Sequence, residues 1–377
     1  MVVVSWNQLP DLTYWIFYRA GSSVVPAVPG VPLIRGAQSP RVVVNVINGI
    51  QYAFVMNATH QDSPAGPASP VVLATPRRAG ATETWASGTP LGGVPLQNLN
   101  AVAFGAARLV AVGDAGTLFS GVYNYTNANP PGVTAWVLPS LVPAGFAKDL
   151  RAVIFTGALF AALAADGSIV TSADGLTWTS VTATNPITAN GMNSLALGSV
   201  SFTPVFVAVG AAGSIFTSRD LANWTSVVPV TPDELYAVSF LNGGFVAVGA
   251  KGALLTSPDG SNWTAQDSKT QNTLRGVAHA VTLTGARYVA VGDAGTVATS
   301  SDAIVWSAAV PPLAQNLRRV TFGSRFIAVG QGGAVAYSDD GLNWTPASAG
   351  SADLNAVIFT PGMYVAVGAS GANTVSR

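Results

Sequence analysis

Residues 235–263 read LYAVSFLNGGFVAVGAKGALLTSPDGSNW. An apolar run from Leu235 is followed by a Gly-bearing link and a second run, FVAVG, from Phe245. The turn Ala250–Lys251–Gly252 leads into a third run, ALLTS, and a polar turn then ends on Trp263. No 3.6-residue period passes through the stretch, and short links carrying Gly are what antiparallel hairpins require. Four short strands in so few residues describe one blade of a β-propeller.

The unit recurs. Its openings are LNAVAF from Leu99, LRAVIF from Leu150, MNSLAL from Met192, LYAVSF from Leu235, LRGVAH from Leu274, LRRVTF from Leu317 and LNAVIF from Leu354, spaced 37 to 51 residues apart. The second run recurs as LVAVGDAG, FVAVGAAG, YVAVGDAG, FIAVGQGG and YVAVGASG, with FAALAADG as a degenerate copy. Two Gly around a two-residue link are read as a hairpin whose glycines take positive φ. The fourth-strand tryptophans, Trp85, Trp136, Trp178, Trp224, Trp263, Trp306 and Trp344, also number seven, but they run out of phase with the openings. Both counts reach seven if TETWAS (Thr82 to Ser87) supplies the outer strand of the blade begun at Leu354. That closes the ring non-covalently and removes an exposed sheet edge. The fold expected is therefore all-β, with a seven-bladed propeller over 82–377.

Residues 1–76 differ. VVVSW, TYWIFYRAG, RVVVNVINGIQYAFVMNAT and SPVVLATP read as strands of a small sandwich, with Tyr52, Phe54 and Met56 alternating against Ala53, Val55 and Asn57. Residues 77–81 (RRAGA) read as a linker.

Composition bounds the function. The 377 residues hold 17 Lys+Arg, 17 Asp+Glu, 2 His and no Cys; 9% are charged and 49% hydrophobic. Zero net charge excludes a nucleic-acid electrostatic footprint. The absence of Cys excludes disulfides, thiolate metal sites and thiol catalysis. No apolar run approaches the length of a transmembrane helix. His60 and His279 fall in different domains, so neither a His-based metal site nor a triad is expected. No cofactor is expected.

Two resemblances attach to these residues. Residues 1–76 resemble a fibronectin type III domain, an immunoglobulin-like sandwich, through Trp6, the Tyr14–Arg19 strand, NGIQYAFVMNA and SPVVLATP. The family's first strand would precede VVVSW; either the chain is trimmed there or a neighbouring chain supplies that strand. Residues 82–377 resemble seven-bladed propellers of the Asp-box or sialidase-like superfamily, including photosystem assembly factors. The turns SADGLTW, SRDLANW, SPDGSNW, SSDAIVW and SDDGLNW carry this likeness, one residue shorter than the usual Asp-box spacing. In these turns Ser172, Asp174, Gly175 and Trp178, then Asp220 with Trp224, Asp259 with Trp263, Asp302 with Trp306 and Asp339 with Trp344, are assigned a structural role. The carboxylate closes the turn and the indole packs between blades. A sialidase-type enzyme would need a Tyr nucleophile with a Glu partner, and no such pair is recognisable around the two glutamates, Glu83 and Glu234. The chain is read as a non-enzyme.

Antiparallel order puts the inner-strand starts, the second hairpins and the blade-to-blade loops on one face, with the Asp turns opposite. The residues after each opening Leu or Met form a ring on that face: Asn100, Arg151, Asn193, Tyr236, Arg275, Arg318 and Asn355. Three Arg, with Arg319 adjacent, suggest a basic rim for an anionic or sugar-like ligand or a partner loop, partly neutralised by Asp114 and Asp293; polar residues that merely solvate the channel mouth are the plainer reading. Blade 1 carries an insertion, GVYNYTNANPPGV, whose Tyr123, Asn124 and Tyr125 form a candidate contact loop. Sequons stand at Asn57, Asn124, Asn223, Asn262 and Asn343, three of them inside the repeat motif.

The function expected from depleted charge, the missing strand and the two-domain plan is an extracellular or cell-surface adhesive protein that self-associates, for example into filaments. The alternative is a carbohydrate- or protein-binding propeller that uses the Arg-bearing face; a glycosidase ranks last.

Overall fold

In the computed structural model, residues 2–4, 12–20, 33–37, 41–43, 52–60, 72–74, 85–88, 97–124, 132–189, 191–282, 285–360 and 363–376 are described. The expected linker at 77–81 and most of the insertion, with Tyr125, lie outside them. The chain divides into two compact units, Met1–Glu83 and Thr84–Arg377.

The first unit holds a pair of strands, Val2–Val4 against Arg41–Val43, and a four-stranded antiparallel sheet ordered Leu33–Ala37, Leu12–Ala20, Tyr52–His60, Val72–Ala74. The one-sided alternation expected of its central strands does not hold where side chains are described. Consecutive Ile16 and Phe17 are both buried, as are Phe54 and Val55, so both faces of that strand pair are covered.

The second unit is seven four-stranded antiparallel sheets. Blades 1 to 6 span 99–137, 150–180, 192–227, 235–265, 274–309 and 317–348. Blade 7 comprises Leu354–Thr360, Met363–Gly368 and Asn373–Ser376, completed by Trp85–Ser87 pairing antiparallel to Thr374–Ser376. The first strands of neighbouring blades pack side by side around the axis. Second strands read as unbroken apolar runs because a blade lies on each side of them: Val246 and Val248 pack with Leu274, Val277 and Trp306 of blade 5, whereas Ala247 packs with Val205 and Val207 of blade 3. Each such side chain contributes roughly 1.5–3 kcal/mol by leaving water. Blade 7 seals onto blade 1 in the same way, Val365 and Val367 packing with Leu99, Val102 and Phe119.

The second hairpins depart from expectation. In blade 4 the first glycine, Gly249, is extended (φ −162°), while Lys251 (φ 51°) and Gly252 (φ 75°) are left-handed. Gly249 is needed for proximity instead: a Cβ there would stand 2.1 Å from the Glu234 carbonyl, to which the Ala250 N–H donates at 2.8 Å. This hydrogen bond, from hairpin to the residue before the inner strand, recurs in all seven blades.

Candidate functional site

Every inner strand carries an irregularity at one place. The register slips between Leu99 and Ala101, Leu150 and Ala152, Met192 and Ser194, Leu235 and Ala237, Leu274 and Gly276, Leu317 and Arg319, and Leu354 and Ala356. The residue skipped is in each case the ring residue named from sequence. A β-bulge re-aims a side chain and frees the backbone beside it from the ladder.

The three asparagines use that freedom to join blades. Asn100 Nδ2 donates to the Leu150 carbonyl (2.9 Å), Asn193 Nδ2 to the Leu235 carbonyl (3.0 Å) and Asn355 Nδ2 to the Leu99 carbonyl (2.8 Å). The last bond runs across the ring closure. Three of the seven residues of the expected contact ring are thus engaged in holding the propeller together.

The cationic members are each met by carboxylates. Arg151 lies 3.0 Å from Asp149 and 3.6 Å from Asp114. Arg275 spans both oxygens of Asp293, at 2.5 and 2.9 Å, with its guanidinium 4.9 Å from the centre of the Tyr236 ring. The Asp293 bond raises the Arg275 pKa further. Arg318 pairs with Asp353 at 2.7 Å and donates to the side-chain oxygen of Asn355. Arg319 donates to the carbonyls of Arg275 and Arg318, and burial together with the Arg275 charge pulls it down to about 10. With Glu234 added, the mouth carries four guanidiniums and five carboxylates. The rim holds one more carboxylate than guanidinium and is rich in hydrogen-bonding groups; it is not basic.

A Tyr/Glu pair that was not legible in the sequence is present here. The Tyr236 hydroxyl donates to Glu234 Oε2 at 2.9 Å, and Asn193 donates to Glu234 Oε1 at 2.8 Å. Burial, then the Glu234 bond, raises the Tyr236 pKa. The spacing Glu-x-Tyr on an inner-strand start was the available signal. The pair does not complete a sialidase-like centre, because Arg275 and Arg318 are already held by Asp293 and Asp353.

The Asp turns sit on the opposite face. In blade 3, Asp220 Oδ1 accepts the N–H groups of Ala222 (2.9 Å) and Asn223 (2.8 Å), Ser218 Oγ accepts the Leu221 N–H (3.0 Å), and Trp224 Nε1 donates to the Leu221 carbonyl (2.7 Å). The same pattern is found around Ser172, Asp174, Gly175 and Trp178, around Asp259 and Trp263, and around Asp302 and Trp306. The Asn223 side chain and backbone hold Asp220 down to about 2, and the Thr177 and Leu176 N–H groups do the same for Asp174. In blade 6 the assignment shifts by one: Asp340, not Asp339, closes the turn ending at Trp344, accepting from Leu342 and Asn343 at 2.8 Å. Asp339 instead accepts from the buried Arg325 at 2.8 Å. In SDDGLNW either aspartate could be counted, and only the distance to Gly341 separates them. The sequon residues Asn223, Asn262 and Asn343 each donate Nδ2 to the turn aspartate at 2.7 to 2.8 Å.

Within the candidate contact loop, Tyr123 is corrected. Tyr123 is buried and packs edge-on against Phe104 at 5.2 Å, inside the core between blades 7 and 1. Asn124 pairs with Gly132 in the sheet of blade 1.

The fold so defined is that of a seven-bladed β-propeller. No protein-family model matches the chain, and no curated protein matches it. Among solved structures, it is similar to YCF48 bound to D1 peptide, at 17% identity over 78% of this chain and 96% of that one (TM-score 0.60). YCF48 from Cyanidioschyzon merolae matches at 17% identity over 78% and 98% (0.56). The computationally designed Ika8 protein matches at 13% over 77% and 99% (0.55). At these identities the likeness establishes the fold. It also corrects the expectation of an adhesive, self-associating extracellular filament subunit: the similar structure carries a bound peptide, which backs the alternative of a binding propeller instead.

Proposed function

We propose that the propeller is a protein-binding module, taking a peptide or loop of a partner on the face where the seven bulges open. The observation that carries this is the bulge ring itself. One irregularity, repeated in every blade, gathers Arg151, Tyr236, Arg275 and Arg318 at one mouth beside Asp114, Glu234, Asp293 and Asp353. Pre-positioned donors and acceptors, with positive and negative groups interleaved, suit a polypeptide backbone and its polar side chains. The peptide held by the similar YCF48 propeller supports the same reading. The role is binding rather than catalysis, since the guanidinium beside Tyr236, that of Arg275, is taken up by Asp293.

The proposal extends to the N-terminal unit as a fibronectin type III-like module, supported by its pair of strands and its four-stranded sheet order, and to kinship of the Ser/Asp turns with Asp-box repeats, supported by their hydrogen bonds.

The test is an array of random-sequence dodecapeptides probed with the full chain, with glycans printed alongside. Peptides bound by the wild type and lost on Arg275→Ala or Arg318→Ala, but kept on Asp220→Ala on the other face, are expected. Glycans bound in place of peptides would transfer the site to carbohydrate. Binding indifferent to both Arg substitutions would remove it from this face.

A further inference from the structure

The face opposite the bulge ring is uneven. Because every inner strand starts with the same bulge, differences in strand length appear at its far end. The inner strands of blades 3 and 5, Met192–Val200 and Leu274–Thr282, are 9 residues long, whereas that of blade 4 between them, Leu235–Leu241, is 7. Two residues of strand are about 7 Å. Blades 3 and 5 therefore stand above blade 4 as two walls, and the place that a taller blade 4 would fill is one sheet layer thick, with sheets packing about 10 Å apart.

The walls are apolar where they face each other. Val200 belongs to the cluster that blade 3 shares with Leu235, Val238 and Phe240 of blade 4. Val277 packs with Ala237 and Val246 of blade 4, and two-residue periodicity puts Val281 on that same side. Val281 is nevertheless 68% exposed. Blade 4 ends below them in the exposed Asn242–Gly243 turn, with the partly buried Phe240 and Leu241 beneath it. The blade 3 wall ends in the two-residue turn Ser201–Phe202, with φ 49° and 63° and Phe202 fully exposed. A bulky residue with positive φ is a costly choice for a turn that Asn-Gly makes freely, as Asn242–Gly243 does in blade 4. Blade 1 makes a turn of the same kind with Ala106–Ala107, so what sets the blade 3 turn apart is its exposed aromatic ring. No residue of these described tips is charged.

We propose that this slot binds an uncharged, extended apolar segment of a partner polypeptide, inserted as an extra layer between blades 3 and 5 with apolar side chains on both of its faces. Complementarity decides the occupant. Facing uncharged walls one layer apart fit a strand with Val, Ile or Phe on both sides and exclude charged segments. A bilayer would instead be met by apolar tips on one outward plane. The inference is independent of the function proposed for the other face.

The test is selection of a displayed library of random nine-residue segments on the full chain, depleted on a variant whose slot is filled by lengthening each blade 4 strand by two residues around Asn242–Gly243. Expected are segments rich in Val, Ile and Phe and free of charge. Their synthetic peptides should bind at least about tenfold more weakly to Phe202→Asn and Val281→Thr, and unchanged to Arg318→Ala. Phe202→Asn suits the positive φ of the turn better than Phe does and Val281→Thr keeps the β-branched strand preference, so neither should lower the unfolding temperature. The proposal is overturned if no segment survives depletion, if the survivors are charged, or if binding ignores both substitutions. Phe202-dependent binding of the chain to phosphatidylcholine vesicles, with no segment enriched, would overturn it in favour of a membrane.

Discussion

Replacing His279 with Phe should stabilise the propeller. His279 occupies the inner-strand position held by Phe104, Phe155, Phe240, Phe322 and Phe359 in other blades. Those rings rest on a second-strand aromatic: Phe240 on Phe245 and Phe322 on Phe326, both at 4.8 Å, and Phe359 on Tyr364 at 4.7 Å. His279 rests on Tyr288 at 4.3 Å, but its Nε2 is buried with no hydrogen-bond partner. An unsatisfied buried polar atom costs about 1–3 kcal/mol, with the low end fitting a half-buried side chain. Phe removes that cost and keeps the ring contact with Tyr288, so a gain of about 1 kcal/mol is expected, or roughly 2 °C in a thermal scan of a domain this large. The gain should depend on pH. Burial lowers the His279 pKa below its usual 6.5, so the unfolded chain takes up the proton more readily than the folded one. Stability from the neutral ring is complete above 6.5 and declines as pH falls below it. The difference between variant and wild type should therefore widen from pH 8 to pH 5.5; His60, present in both, cancels. A variant less stable than wild type, or a difference flat across that range, would refute the reasoning.

Tyr364→Phe should cost about 1–3 kcal/mol, because the hydroxyl accepts the buried Arg325 N–H (3.0 Å), which the change leaves without that partner, and donates to the Arg325 carbonyl (2.7 Å), which keeps the Gly323 N–H (3.1 Å); urea unfolding measures it. Trp85→Ala should loosen the ring closure by about 2–4 kcal/mol, since the closing strand is only three residues long and Trp85 is its anchor in the blade 6–7 core; early exchange of the Thr374 and Val375 amides would report the opening. Asp220→Ala should destabilise by about 1 kcal/mol. Since Asp220 is held down to about 2, the wild-type advantage should be full above pH 4 and shrink as pH falls towards 2, read from melting temperatures across that range.

The propeller was legible because its constraints repeat. A Gly249-like residue recurs where a Cβ would strike a carbonyl, and a Leu235-like residue recurs where the inner strand turns into the core, so one blade could be checked against six others. The ring positions were legible for the same reason, but their chemistry was not. Asn100 and Arg151 occupy equivalent places, yet one amide is tied to a backbone carbonyl of the next blade and the other side chain to carboxylates. That difference depends on which acid the neighbouring hairpin brings within reach, and no repeat pattern encodes it. Tyr123 misled because an aromatic in an insertion reads as a contact residue, whereas here the sheet runs on to Asn124 and turns the ring inward. The uneven heights of blades 3, 4 and 5 were visible as longer runs between opening and turn. They acquire meaning only once the bulges fix a common starting line.

The scarcity of charge also has a structural form. Lys148, Arg151, Lys251, Lys269, Arg275, Arg318 and Arg325 each lie within 3.0 Å of a carboxylate. Such pairs add little stability at an exposed surface, but each pair cancels its own field within a few ångströms. At the bulge mouth this pairing leaves little long-range potential with which to steer a partner, so association there should proceed near the unsteered rate of about 10⁵–10⁶ M⁻¹s⁻¹. It should also depend only weakly on salt, because the paired charges leave little field there for ions to screen. Selectivity then rests on contact: on whether a segment satisfies the donors and acceptors that the bulges present, or fits between the walls of blades 3 and 5. An association rate for an array-selected peptide that fell tenfold between 20 and 300 mM salt would mean that the pairs at the mouth open on binding and expose their guanidiniums.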